Sequence, residues 1–182
     1  KIMKQALASF KKLPDPIRGE NEEVLSYLYY RAGKLLQRNE EETNQTADLF
    51  TLAHNIMPEN PLYLVALMES IVLRNLNLAE YNISLFKTNL SKAVPKLEEL
   101  IEIGIKRVPA LFAIGHCHLL SDDEAGCVNA YSKAVSTILN RKYLTSHATI
   151  VAETALIGKL KSRNAKLAEM VKLYLNMAMY LS

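Results

Sequence analysis

The sequence predicts an all-α fold of stacked antiparallel helix hairpins, and three observations carry that prediction. Apolar residues recur at helical spacing along most of the chain, and no segment sustains the period-two alternation of a half-buried strand. Glycine and proline are scarce, six of each in 182 residues, whereas an all-β domain needs more turn residues. The helical segments are joined by short polar or proline-bearing turns, which place neighbours antiparallel.

The elements follow in order. Residues 1–13 put Ile2, Met3, Ala6, Leu7 and Phe10 on one face, and Pro14 and Pro16 stop that helix. Asn21 is a candidate N-cap for a second helix that reaches about Gln37 through Val24, Leu25, Leu28, Ala32 and Leu35. After a polar turn at 39–44, a third helix carries Ala47, Leu49, Phe50, Leu52 and Ala53 to about Ile56. The stretch 57–61 is a stop and restart, with Pro61 suited to the first turn of a helix that reaches about Leu73. Asn75, Asn77, Asn82 and Asn89 punctuate an ambiguous stretch before a helix with Ala93, Leu97, Leu100 and Ile101. Pro109 opens a helix to about Leu120. The turn at 121–124 has acidic, capping character, and the helix after it carries Cys127, Ala130, Tyr131, Ala134, Val135 and Ile138. Two further helices fit 146–160 and 164–181.

Composition narrows the function classes. At 49% hydrophobic and 23% charged the chain is globular rather than disordered. A net charge of +3 is too small to imply nucleic acid. The basic pairs Lys11-Lys12, Lys106-Arg107 and Arg141-Lys142, with Lys159, Lys161 and Arg163, fall at helix ends, where cations meet the negative end of the helix dipole. Two cysteines, Cys117 and Cys127, make no disulfide framework, so a reducing, cytoplasmic setting is expected. The apolar run at 62–73 is broken by Glu69 and then Arg74, and no signal peptide is visible. The chain starts mid-pattern at Lys1 and reads as a piece of a longer protein.

A repeat runs through these helices. Its clearest copy is Leu111-x-x-Ile114-Gly115-x-x-His118 followed by Cys127-x-x-x-Tyr131-x-x-Ala134. An earlier copy reads Tyr29-x-x-Ala32-Gly33-x-x-Leu36, then Thr46-x-x-x-Phe50-x-x-Ala53 and Pro58, with one extra residue in its turn. Between them, Leu64-x-x-Leu67-Met68-x-x-Ile71 and Ala93-x-x-x-Leu97-x-x-Leu100 are in phase but separated by an insertion at about 75–90, which either extends the second helix, with a kink near Pro95, or forms a loop. Small Gly115 and Cys127 let the two helices of a hairpin approach; Tyr131 and Ala134 fill and clear space against the next hairpin.

This pattern resembles the tetratricopeptide repeat. The resemblance spans about 22–140 and implies a right-handed superhelix in one domain: a partial upstream helix at 1–20, repeats at 21–60, 61–107 and 108–140, and a divergent or capping hairpin at 141–182. It implies protein or peptide binding on a concave face lined by the first helix of each repeat. Carried over, that face includes Tyr30, Lys34, Gln37 and Arg38, then Leu62, Val65, Glu69, Val72 and Leu73, then Phe112, His116, Leu119 and Leu120. The family's chaperone-tail clamp uses Lys and Asn in set places; Lys34 matches but the Asn partners are absent. Either the apolar members form an open groove with a basic rim for an amphipathic helix or extended peptide, or they pack under the insertion or the C-terminal helices.

Catalysis and cofactors find no support in the residues. His116, Cys117 and His118 are adjacent on a helix and point about 100° apart, so they do not converge on a metal with Cys127. Cys127 falls where the repeat wants a small buried residue, and a buried apolar thiol is inert. There is no glycine-rich phosphate loop or nucleophile elbow. The leading expectation is a non-enzymatic interaction module without cofactor, nucleic-acid or membrane contact, able to form a homodimer. The alternatives are a regulatory or sensory domain of a larger transcription factor or enzyme, and a small-molecule pocket inside the superhelix.

Overall fold

The computed structural model describes residues 12, 21–39, 43–73, 83–104, 107–140, 147–161 and 164–181. Among them are eight α-helices and no strand. The chain is all-α. It groups into two compact units, Lys1–Arg74 and Asn75–Ser182, divided where the insertion was expected to begin. The upstream helix expected at 1–13 and the front of the insertion lie outside the described residues.

The first unit contains α1 (Glu22–Asn39), α2 (Thr43–Ile56) and α3 (Pro61–Leu73), with α1 packed on α2 and α2 on α3. Glu22 and Glu23 sit in the first turn of α1, where negative charge meets the positive end of the dipole. The face α1 buries is only partly the one its periodicity marks, with Ala32 buried and Leu25 and Leu28 half-buried. Val24 and Leu35 are exposed, whereas Ser26, Tyr29 and Ala32 are buried. Small residues decide it: Ser26 and Ala32 let α2 come close, and the Ser26 hydroxyl satisfies itself by donating to the Glu23 carbonyl at 2.7 Å. α2 answers with Thr46, Ala47, Phe50 and Ala53, the face its repeat spacing predicts, while Leu49 is half-buried and Leu52 exposed.

Asn60 caps α3, its side-chain oxygen accepting from the Leu62 amide at 3.1 Å, and Pro61 takes the first helical position. α3 is apolar on nearly every side and is buried on nearly every side, including Met68, which takes the place of a small residue.

The second unit contains α4 (Ile83–Glu102), α5 (Arg107–Leu120), α6 (Glu124–Leu139), α7 (His147–Leu160) and α8 (Ala165–Leu181). α4 packs on α5, α5 on α6, and α8 on both α6 and α7. The back of the insertion extends α4: its buried stripe Phe86, Leu90, Ala93, Leu97 keeps one helical face through the whole length. Pro95 lies inside this helix on the exposed side. Gly104, at φ +78°, ends α4 in the left-handed conformation that glycine adopts without strain. Arg107 then reaches back, its Nε donating to the Ile101 carbonyl at 2.9 Å.

α5 is the centre of this unit; Val108, Leu111, Phe112, Ile114, Cys117, Leu119 and Leu120 are all buried. Asp123 caps α6, accepting from the Gly126 amide at 3.0 Å. α6 buries Cys127, Ala130, Tyr131, Ala134, Val135 and Ile138, the six residues that its periodicity singles out.

Candidate functional site

The same construction occurs once in each unit. In α1, a Cβ on Gly33 would stand 2.5 Å from Cε1 of Phe50 on α2, so only glycine lets that ring lie flat on the helix. In α5, a Cβ on Gly115 would overlap the ring of Tyr131 on α6 in the same way. Three residues before each glycine stands a second aromatic ring. Tyr30 lies 6.0 Å from Phe50 and 5.0 Å from Tyr63, and Phe112 stacks on Tyr131 at 5.7 Å. Tyr131 therefore packs within its own hairpin as well as reaching towards the next.

One residue after each glycine stands a base, and each base meets a glutamate from the helix that follows the hairpin. Lys34 Nζ is 2.9 Å from Glu69 Oε2 on α3 and 3.1 Å from Gln37 Oε1. It also lies 5.6 Å from the Phe50 ring centre, within cation–π reach. His116 Nε2 is 2.5 Å from Glu153 Oε1 on α7, and the Tyr131 hydroxyl donates to that same oxygen at 2.5 Å. Both glutamates are buried, Glu69 to 1% exposure and Glu153 to 7%. An ionised carboxylate stays in such a place only when charged or polar hydrogens surround it. Burial also raises the pKa of the Tyr30 phenol, which Lys34 partly opposes.

The residues assigned to a concave face divide accordingly. Leu62, Val65, Glu69, Phe112, His116, Leu119 and Leu120 are buried, so in this structure they are core and not an open groove. Tyr30, Lys34, Gln37 and Leu73 are half-buried. The side chains of Arg38 and Val72 lie outside the described residues. Glu153 escaped the sequence reading, although one signal for it exists: a lone carboxylate inside an otherwise apolar helix, as Glu69 is in α3.

An open concavity of the second unit lies elsewhere, between α4 and α6 over α5. It is a cleft of about 370 Å³. Its floor is Ile101, Leu111, Ile114 and Ala130. Glu98 and Glu102 stand on the α4 wall, Asn129 and Lys133 on the α6 wall, and His118 and Gly126 also line it. His118 Nδ1 is 2.8 Å from Asp123 Oδ2. A Cβ on Gly126 would overlap both His118 and Asp123, so glycine keeps this corner open. Asp123 has a lowered pKa, first through the Gly126 amide and also through His118. A separate exposed apolar row, Leu173, Met177 and Tyr180, lies on α8.

Both cysteines are free and buried, and the Cys127 thiol is pushed up to about 12, mainly by burial and then by the charges of Asp123 and Glu153. Among the described residues no three His, Cys, Asp or Glu side chains could share a metal ion, and no helix is long and apolar enough to cross a membrane. No family model, curated protein or solved structure matches the chain.

Proposed function

We propose that the chain is a tandem helical-repeat module of the tetratricopeptide type, a right-handed superhelix that works by binding another protein and has no catalytic activity of its own. One observation carries this reading. Tyr30, Gly33 and Lys34 in α1 correspond to Phe112, Gly115 and His116 in α5, each set completed by a ring from the second helix and a glutamate from the third. Three side-chain roles at the same offsets, in two stretches of different sequence, fit a unit that has been repeated. In such arrays each hairpin buries its apolar face on its neighbours, and the product is extended surface presented to partners rather than an enclosed reaction centre. The buried, protonated Cys127 supplies no nucleophile.

Affinity capture with the full-length protein, followed by purification of each captured protein and calorimetric titration against this chain, tests the reading. Saturable binding of a purified partner is the expected result. Captured proteins that give no saturable heat once purified overturn it.

A further inference from the structure

We infer that the α4–α5–α6 cleft of the second unit seats a short amphipathic helix of a partner protein, one that carries two basic residues a turn apart along one edge of its apolar ridge. This rests on the interaction-module reading and names the surface and the chemistry of the partner.

The charge pattern selects the occupant. Several acidic side chains of this unit have partners within it, Glu153 with His116 and Tyr131, Asp123 with His118, Glu169 with Lys161 and Lys172, and Glu124 with Lys166, whereas Glu99 is exposed on α4 without an ion pair among the described residues but does not line the cleft. Glu98 and Glu102 are exposed and have no cation within ion-pair distance among the described residues. They stand four residues apart on α4, on one wall of the cleft. Side chains at that spacing are neighbours on a helix surface, about 5–6 Å apart at Cβ. Two basic residues one turn apart on a docked helix match that spacing.

The rest of the cleft agrees. On its floor Ile101 is half-buried and Leu111, Ile114 and Ala130 show only their edges, and a volume of about 370 Å³ has room for a few side chains of the partner's ridge. Lys133 on the opposite wall favours an acidic residue on the partner's other edge and so sets the direction in which the helix lies. Carboxylates on the wall repel phosphate, which disfavours a nucleic acid here.

The test is a selection of random peptides displayed against the purified full chain, repeated with a Glu98→Lys/Glu102→Lys variant. Both positions are exposed, and circular dichroism verifies that the variant folds. The wild-type chain should enrich basic amphipathic helices. The best of them, synthesised and fluorescently labelled, should bind the variant about tenfold or more weakly, and the variant should instead enrich acidic ones. A proline placed mid-peptide should abolish binding. Enriched peptides that bind the variant equally well, that carry no basic edge, or that tolerate the proline overturn the cleft assignment while leaving the module reading in place. A selection that enriches nothing from either chain counts against both.

Discussion

Gly115 and Gly158 both sit inside helices of the second unit, yet a methyl group added to each should act in opposite directions. Nothing lies within 4 Å of a Cβ at Gly158, so Gly158→Ala should raise stability by about 1 kcal/mol through helix propensity alone. Gly115→Ala drives a methyl into the Tyr131 ring and should cost about 1–3 kcal/mol. Urea denaturation of the two variants checks the contrast. Tyr131→Phe keeps the ring but removes the hydroxyl that serves the buried Glu153 carboxylate. It should cost about 2 kcal/mol, the scale of a hydrogen bond to a charged group, by the same measurement. His54 supplies a pH dependence. Burial holds its pKa below the ordinary 6.5, with Glu59 opposing, and its Nδ1 is buried without a partner. The unfolded chain therefore binds more protons as pH drops through 6.5, and stability present above that value is lost below it. His54→Asn should flatten this acid-side slope, measured as denaturation midpoints above and below 6.5. At this scale the sequence is legible where size alone decides. Gly33, Gly115, Cys127 and Tyr131 follow from spacing, because a hairpin that closes there admits nothing larger. Glu153 does not, because a single carboxylate in a helix looks like a solvent-facing residue until the elements that surround it are assembled.

Elements were read best where caps and breakers mark them. Asn60 with Pro61, Asp123, and Asn164, which accepts from the Leu167 amide at 3.0 Å, all stand at helix starts that the sequence punctuates. The buried face of α6 follows its periodicity. α1 and α2 follow theirs in part: Ala32, Ala47, Phe50 and Ala53 are buried, but Val24, Leu35 and Leu52 are exposed while Ser26 and Gly33 are buried, and a count of apolar residues cannot weigh how closely two backbones approach. The insertion left helix and loop equally open; α4 begins at Ile83 and runs through Pro95 because Phe86, Leu90, Ala93 and Leu97 anchor one face on both sides of it. Proline there removes an amide that would donate to the Ser91 carbonyl. Pro95→Ala should restore that bond at an exposed position and, after the greater freedom it gives the unfolded chain, stabilise the protein by about 1–2 kcal/mol. Thermal unfolding followed by circular dichroism reads this directly.

At the scale of the molecule, the all-α architecture was legible because no part of the chain alternates. Which surfaces stay open was not. A helix with apolar residues on several faces, such as α3 or α5, can line a groove or fill a core, and only assembly decides which. Here Val65, Phe112 and Leu119 are covered, and the open cleft is walled instead by residues of α4 and α6 that look, one at a time, like ordinary solvated charges. The proposal that this chain binds a protein is open to calorimetric titration of the full chain with a purified captured partner at several temperatures. Saturable binding with a negative heat-capacity change, the mark of apolar surface leaving water, is the expected result. Heats that never saturate with any captured protein would contradict it.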